Sequence, residues 1–370
     1  MKIEPFAMER MQSEWENRVA HNLSESGVHP MSVEELLTRP ELQELEKQRL
    51  IYIQSNGTEA LRSAIAALYP GATPGHVTVT NGSAEANFIS VWRLVEPGDE
   101  VVMVLPNYMQ LYGVVRSFGA TVVPVRLQEQ ERWAPDLAGL ARAITPRTRL
   151  IIVCNPNNPT GAILSHDEMR EIVGIASRSG VWILSDEVYR GAEREGEETK
   201  SFWGMYDRLL VTCGLSKAYG LPGLRIGWVV GPAEEGDALW ARKDYLTISP
   251  GALSDLLARK ALDRRPAILE RTRKVLRANY PVLEEWVARR RSSFDLVPPK
   301  AGAIAYLRYG WKMNSTDLVT RLRDTRSVLI VPGDHFGMDG YLRIGFGNEA
   351  EDLRAGLSRM DALFDALALA

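Results

Sequence analysis

Short apolar runs rich in β-branched residues alternate with helix-period segments between residue 58 and about residue 230. The runs are HVTVT, EVVMVL, TVVPV, RLIIVC, VWILSD, RLLVTC and IGWVVG. Strands that alternate with helices in this way usually pair in a mostly parallel sheet, with the helices packed on its faces. The pattern therefore predicts an α/β fold with a mostly parallel, seven-stranded type of sheet flanked by helices.

The rest of the chain has a different pattern. Beyond about residue 235 long helical stretches dominate, followed by the strand candidates AIAYLRY, SVLIVPG and YLRIGF. Residues 8–20 predict a polar helix, which SESGVHP separates from a second helical stretch at VEELL. A chain of 370 residues is too long for one core. We expect a large domain over residues 38–250, and an N-terminal arm plus a small α+β domain over residues 1–37 and 251–370.

Composition narrows the choice of partner. A hydrophobic fraction of 45% and a charged fraction of 25% are typical of soluble globular proteins. A net charge of -3 with dispersed Lys and Arg predicts binding neither to nucleic acid nor to a membrane surface. No apolar segment suggests export or a membrane span. Cys154 and Cys213 each close an apolar run, which predicts buried free thiols and a cytoplasmic location. The expected partner is a small molecule.

Polar residues follow the predicted strands directly, where ligands bind in open parallel sheets. After HVTVT, Gly82 permits close backbone approach and Ser83 can begin a helix whose N–H groups favour a phosphate. After EVVMVL, Tyr108 can stack on a flat heterocycle. Taken singly, these residues are equally consistent with a helix cap and a surface turn. After RLIIVC, the constrained turn NPNNPTG presents Asn158 as a rigid amide donor, which is a more specific signal.

Ionisable groups follow the next two runs. Asp186 ends VWILSD, three residues before Tyr189, and a buried anion there needs a partner such as a protonated pyridine nitrogen, unless Asp186 is a helix N-cap. Lys217 follows RLLVTC, where desolvation and nearby positive charge predict a deprotonated amine able to form an imine. Arg225 offers a planar fork for a phosphate. The pair Ser216 and Lys217 leaves open a hydrolase dyad or a solvated turn.

Taken together, the motifs resemble those of the class I/II aminotransferases of pyridoxal phosphate (PLP) fold type I. The resemblance begins at Tyr52 in YIQSNGTEALR, runs in order through NGSAEAN, PNY, NPNNPTG, SDEVY and LSKAYGLPGLRIGW, and ends at Arg343 in LRIGF. Ordered agreement over nearly the whole chain is highly specific. It implies a PLP-dependent enzyme that moves an amino group from an L-amino acid to a 2-oxo acid.

The resemblance also implies a role for each matching residue. Lys217 would bind PLP as an imine and shuttle the substrate α-proton, while Asp186 would keep the ring nitrogen protonated. Tyr189 and Asn158 would hydrogen-bond the phenolic oxygen of the cofactor, and Tyr108 would stack on its ring. The resemblance further assigns the phosphate to Gly82, Ser83, Ala84, Ser216 and Arg225, the substrate carboxylate to Arg343 with Asn158 and Gly27, and a contribution across a homodimer to Tyr52.

Two features set this sequence apart from the common family pattern. Gly214 stands where the family usually has a phosphate-binding Ser or Thr, so one hydrogen bond to the phosphate is expected to be missing or replaced by water. SESGVH, SKAYGLPGLRIGW and KDYLTIS also look like capreomycidine synthase, a fold type I enzyme that cyclises 3-hydroxyarginine by elimination and readdition. NPNNPTG and SDEVY, however, are ordinary aminotransferase forms. Transamination is therefore placed ahead of a lyase or cyclase reaction on a β-hydroxylated cationic amino acid.

Other sequence features bear on the alternatives. The acidic run Glu193, Glu195, Glu197 and Glu198 would favour a guanidinium, although a solvated loop is the more ordinary interpretation. A PLP-fold ligand sensor is disfavoured because no basic helix-turn-helix extension is present. No metal site is predicted, since the five histidines lack ligand spacing.

Overall fold

The computed structural model describes residues 2–368. The strands are β1 (His21–Asn22), β2 (Val77–Thr80), β3 (Glu100–Leu105), β4 (Thr121–Gln128), β5 (Ala134–Pro135), β6 (Thr148–Cys154), β7 (Trp182–Asp186), β8 (Leu209–Gly214), β9 (Gly227–Val230), β10 (Phe294–Leu296), β11 (Ile304–Tyr309), β12 (Val328–Leu329), β13 (Val331–Pro332) and β14 (Tyr341–Gly345). The helices are α1 (Ala7–Trp15), α2 (Val33–Leu36), α3 (Arg39–Glu46), α4 (Glu59–Ala66), α5 (Ser83–Leu94), α6 (Gln110–Ser117), α7 (Leu137–Ala143), α8 (His166–Ser179), α9 (Gly236–Lys243), α10 (Ala252–Asp263), α11 (Arg265–Ala288), α12 (Ser315–Arg326) and α13 (Ala350–Ala368).

The large sheet has the strand order β2-β9-β8-β7-β6-β3-β4-β5. Each of the seven predicted runs forms one of its strands, and the two-residue β5 adds an eighth at the edge, antiparallel to β4. Strands β8, β7, β6, β3 and β4 pair in parallel, whereas β9 is antiparallel to both β2 and β8. The prediction of a mostly parallel sheet flanked by helices, with a smaller second sheet, is confirmed.

Both faces of the large sheet are covered, as β3 illustrates. Val101, Met103 and Leu105 belong to one buried cluster together with residues of α5 and α6. Val102 and Val104 belong to a second cluster on the opposite face. Burial on both faces explains why these strands are continuous apolar runs instead of alternating apolar and polar residues.

Helix α8 shows how local sequence signals set the limits of the covering helices. Ser165 and Glu168 form a capping box at its start, and Gly180 ends it in a left-handed conformation with φ of 65°. Met169 and Ile172 are among the side chains that it buries. The capping box at Ser165 and the left-handed Gly180 therefore set the two ends of the helix.

The direction of β9 determines which residues meet at one edge of the large sheet. Because β9 is antiparallel to both β2 and β8, it starts at the edge where those two strands end. Asp186 at the end of β7 and Lys217 just after β8 therefore lie at the same edge as Arg225, which precedes β9. The sheet therefore brings Asp186 and Arg225 to one edge, although they are 39 positions apart in the sequence.

The second sheet is antiparallel, with the order β10-β11-β14-β13. Arg343 on β14 lies opposite Tyr306 on β11. The predicted strand SVLIVPG is split in two, because the chain changes partner near Ile330: β12 pairs with β1, and β13 pairs with β14. These strands bring β1, and the arm before it, next to Arg343.

The N-terminal helix is shorter than predicted. It ends at Trp15 instead of residue 20, because the chain turns there so that His21 and Asn22 can pair with β12. Cys154 and Cys213 are both buried free thiols, as predicted. Over residues 2–368, no helix has the length and hydropathy needed to cross a membrane. Within the same range, no cluster of three or more His, Cys, Asp or Glu side chains is arranged to hold a metal ion.

Candidate active site

A cavity of about 300 Å³ lies at the edge of the large sheet that contains Asp186 and Lys217. Most of the residues predicted to form a site line this cavity: Ser83, Ala84, Tyr108, Asn158, Asp186, Tyr189, Ser216, Lys217, Arg225 and Arg343. They come from the strand ends of the large sheet and, for Arg343, from the second sheet. The structure therefore brings the separate sequence motifs into one site.

Lys217 has a negatively charged partner. Its Nζ donates a hydrogen bond to Oε1 of Glu25 at 2.5 Å. Burial alone would lower the pKa of Lys217, but the Glu25 carboxylate and the Tyr189 phenol outweigh that effect and raise it. The charged group in contact with the Lys217 amine is therefore an anion that lies 192 residues away in sequence, and not the positive charge that the sequence predicted.

Asp186 is a buried carboxyl group, with 2% of its surface exposed. Its carboxylate accepts hydrogen bonds from Asn87 Nδ2 and from the backbone N–H of Val188, both at 3.1 Å. Burial raises the pKa of Asp186, and these two hydrogen bonds only partly oppose the shift. No Lys, Arg or His within residues 2–368 forms an ion pair with Asp186. The sequence analysis did not single out Asn87, although it lies one helical turn after Ser83 in α5.

One end of the cavity is suited to an anion. Helix α5 starts at Ser83 without a side-chain cap for its first N–H groups, and Ser83 and Ala84 line the cavity together with Arg225. Gly82 has φ of 82°, and a Cβ atom there would collide with the Arg225 guanidinium. Arg225 Nη1 donates hydrogen bonds to Pro222 O at 3.0 Å and Ser216 Oγ at 3.4 Å. The glycine thus lets a guanidinium and a helix N-terminus share one small space.

Gly214 lies behind this anion-binding end. A Cβ atom there would be 3.0 Å from Ile226 O and 3.6 Å from the backbone nitrogen of Ser83. The space that a Ser or Thr side chain would need is therefore tightly limited by β9. Gly214 supplies no hydroxyl to the site.

Arg343 lies at the opposite end and is 1% exposed. Its Nη1 donates to Asn158 Oδ1 at 2.9 Å and its Nη2 to Ser24 O at 2.6 Å. Its Nε has no hydrogen-bond partner within the described part of the chain. Nearby, Tyr189 Oη donates to Ser26 Oγ at 2.8 Å. Burial lowers the pKa of Arg343, so an incoming anion would be favoured there.

The N-terminal arm forms a wall of the cavity that the sequence analysis missed. Met8, Glu9, Gln12 and Glu16 from the α1 region line it, as do Glu25 and Ser26 from the following loop. Glu9 Oε1 accepts a hydrogen bond from Tyr108 Oη at 2.8 Å. The spacing of seven residues between Glu9 and Glu16 places both on one helix face, and this signal was available in the sequence.

Gly27 and Tyr52 occupy different positions relative to the cavity. Gly27 packs against Lys217, because a Cβ atom at Gly27 would be 3.6 Å from Lys217 Cδ. Tyr52 is 84% exposed and lies outside the cavity, next to Leu50, Pro250 and Leu253. Within a single chain, Tyr52 therefore does not contribute to the site.

The acidic run after Tyr189 also lies outside the cavity. Glu193 is buried and pairs with Arg273 at 3.0 Å, and Glu198 pairs with Arg265 at 2.5 Å. The interpretation of this run as a solvated loop is wrong for Glu193, because its carboxylate is needed inside the protein as the partner of Arg273. The run has no direct role in the site.

The fold and the cavity are those of fold type I enzymes that depend on PLP. A sequence model of the family described as aminotransferase class I and II matches residues 23–360, and the chain belongs to this family. Capreomycidine synthase from Streptomyces vinaceus is 36% identical over 343 residues, covering 91% of this chain and 88% of the relative.

Solved structures agree with this family assignment. A PLP-dependent aminotransferase from Streptococcus suis is 34% identical, with a TM-score of 0.93 over 99% of both chains. The PLP-dependent cyclase OrfR is 28% identical, with a TM-score of 0.89 over 99% of this chain and 98% of the other. The similar proteins therefore include both transferases and cyclases.

Proposed function

We propose that this protein is an aminotransferase that moves an amino group from an L-amino acid to a 2-oxo acid, with PLP bound covalently to Lys217. The observation that carries the proposal is that the Lys217 amine, the buried Asp186 carboxylate and the buried Arg343 guanidinium line one cavity. An amine can bond to an aldehyde, a carboxylate can hold a protonated ring, and a guanidinium can bind a carboxylate.

The residues of the cavity fit PLP. Asp186 is a buried carboxyl group to which the described neighbours supply two neutral donors, which leaves it suited to a ring N–H. Arg225 and the start of α5 would hold the phosphate, with Gly82, Ser83, Ala84 and Ser216 around it. Tyr108 would stack on the ring of PLP, while Tyr189 and Asn158 would form hydrogen bonds with the phenolic oxygen of the cofactor. When bound, PLP supplies an electron sink for the electrons released at the substrate Cα.

The remaining residues would orient the substrate and move its proton. Arg343 offers its Nε–H and an Nη–H as a fork for the substrate carboxylate. Lys217, once released from the cofactor, would accept the proton from Cα and later return one. Gly27 would let the arm pass close to the aliphatic part of the Lys217 side chain.

A half-reaction tests the proposal. We expect that the protein, mixed with PLP and one L-amino acid at a time without an oxo acid, converts the cofactor to pyridoxamine phosphate. One equivalent of 2-oxo acid per site should appear, after which the reaction should stop until an oxo acid is added. Mass spectrometry of the cofactor and of the product measures both. An unchanged cofactor with many turnovers of product would contradict transamination.

The second candidate is a PLP-dependent lyase or cyclase acting on a β-hydroxylated cationic amino acid. Its support is the 36% identity to capreomycidine synthase together with the carboxylates of Glu9, Glu16 and Glu25 in the cavity wall. Burial, followed by repulsion from Glu25 and Glu9, raises the pKa of Glu16. A cationic side chain would relieve that repulsion. Including arginine and 3-hydroxyarginine in the half-reaction distinguishes the candidates, since a cyclase would turn over repeatedly with an unchanged cofactor.

We further propose a homodimer in which Tyr52 reaches the phosphate end of the neighbouring site. Leu50, Ile51, Tyr52 and Leu253 form an exposed apolar surface, here called the Tyr52 patch, in which Leu50 is 81% exposed and which borders the buried Pro250. A contiguous exposed apolar surface of this kind is typical of a protein interface.

Charging the Tyr52 patch should disrupt the dimer. We expect Leu50→Asp combined with Leu253→Asp to give a monomer with weaker PLP binding, because buried charges oppose association and Tyr52 leaves the partner site. Light scattering coupled to size-exclusion chromatography gives the mass, and a PLP titration gives the affinity. Val33→Asp is the control, since Val33 is also an exposed apolar residue. A monomeric wild-type protein, or a variant that remains dimeric, would contradict the proposal.

We also propose a division into two domains and a cytoplasmic location. All strands of the large sheet lie within residues 77–230, which supports a large domain over residues 38–250. The second sheet lies within residues 294–345 and β1 pairs with β12, which supports joining residues 1–37 to residues 251–370. The two free thiols support a cytoplasmic location.

A further inference from the structure

Glu25 is fixed in place by three hydrogen bonds to a single oxygen atom. Its Oε1 accepts from Lys217 Nζ at 2.5 Å, from the backbone N–H of Ser26 at 2.8 Å and from that of Gly27 at 3.1 Å. The Lys217 charge lowers the pKa of Glu25 to about 2, and the two backbone donors add to this effect. The carboxylate is therefore an anion held at one position.

The backbone around Glu25 is also fixed, and by contacts that do not involve Lys217. Gly345 N donates to Leu23 O at 2.7 Å, and Arg343 Nη2 donates to Ser24 O at 2.6 Å. Gly345 has no side chain at the point where a Cβ atom would collide with Glu25 O. Strand β14 thus sets the position of the Glu25 carboxylate.

We propose that Glu25 is a positioning residue that holds Lys217 Nζ whenever this nitrogen is not bonded to the cofactor. The inference rests on the proposed bond between Lys217 and PLP and adds a role for a residue outside the motifs. The neutral amine takes the proton from the substrate Cα and becomes an ammonium, which then donates its hydrogen bond to Glu25. The carboxylate orients and stabilises this ammonium without taking the proton itself.

Other charged and titratable groups face the same space. They are Tyr108, Tyr189, Cys154, Arg225, Arg343, Glu9, Glu16 and Asp186. Among the described residues, Glu25 is the ionisable group in hydrogen-bond contact with Lys217 Nζ. Arg343 opposes protonation of Lys217, so removing the Glu25 charge should make the lysine easier to deprotonate.

Glu25→Gln tests the role, because glutamine keeps an oxygen for the two backbone donors and loses only the charge. The full-length cofactor-free protein is mixed with PLP over a range of pH, the Lys217 adduct is trapped with borohydride, and the initial rate is measured by mass spectrometry. We expect the midpoint of the rate profile to fall by about one pH unit in Glu25→Gln. Glu16→Gln, which removes another carboxylate from the same wall, should shift it much less, and Glu25→Asp should stay near wild type.

A kinetic measurement complements the trapping. Glu25→Gln should lower kcat about tenfold and shift the pH profile of kcat. Glu25→Asp, which keeps the negative charge, should have a kcat between those of Glu25→Gln and the wild-type protein. A lower kcat with an unchanged trapping midpoint would overturn the proposal, because a structural role alone explains that result. An equal shift in Glu16→Gln and Glu25→Gln would also overturn it. If the wild-type protein forms no adduct at Lys217, the proposed covalent role of Lys217 fails instead.

Discussion

Lys217→Ala should abolish turnover, with kcat falling by about 10⁴-fold or more. Alanine can neither bond to the cofactor aldehyde nor move the α-proton, and the other residues at this edge of the sheet supply no second amine to the cavity lining. Borohydride trapping followed by peptide mass spectrometry should show no adduct at position 217.

The fold should survive this change. Glu25 keeps its two backbone donors, from Ser26 and Gly27, when the lysine is removed. Circular dichroism should therefore match that of the wild-type protein. Lys200→Ala is the control, because Lys200 is exposed and lies outside the cavity. Retained activity in Lys217→Ala would mean that another residue is the nucleophile.

Asp186→Asn should lower kcat by at least about a hundredfold when the site is saturated with PLP. The amide cannot neutralise a protonated ring, and losing one partner of a buried ion pair costs about 3–5 kcal/mol. This loss corresponds to roughly 10²–10⁴-fold in an equilibrium or a rate. Steady-state kinetics with the donor identified in the half-reaction measures it.

The control for Asp186→Asn is Asp207→Asn, which makes the same chemical change at an exposed position. It should leave kcat within experimental error of wild type. Equal activity of Asp186→Asn and wild type would show that the carboxylate does not act on the ring. Its main role would then be to accept the hydrogen bond from Asn87.

The large sheet and much of the cavity could be predicted from the sequence because both follow from local patterns. Asp186 ends a continuous apolar run and Lys217 follows the next one. Because the carboxyl ends of parallel strands lie at the same edge of a sheet, both residues are expected there. Arg225 joins them because β9 runs antiparallel to β8.

What the sequence did not reveal depends on contacts between distant segments. The partner of Lys217 lies 192 residues away, and no local pattern links the two positions. The split of SVLIVPG into β12 and β13 depends on two different pairing partners, β1 and β14. Likewise, Glu9 meets Tyr108 only once the arm has folded across the strand ends.

The large sheet and the N-terminal arm are separate parts of the chain that both line the cavity. Asp186 and Arg225 lie at the edge of the large sheet, whereas Glu9 lies on a short helix that precedes β1 and Glu16 directly follows that helix. Glu9 and Glu16 are not part of the buried core, whereas Met8 on the same helix is, so the two glutamates are the positions of this segment that can be exchanged with the least effect on packing. Attempts to change which substrate side chain is accepted should begin with Glu9 and Glu16. A change of charge at these positions would affect the substrate more than the protein core.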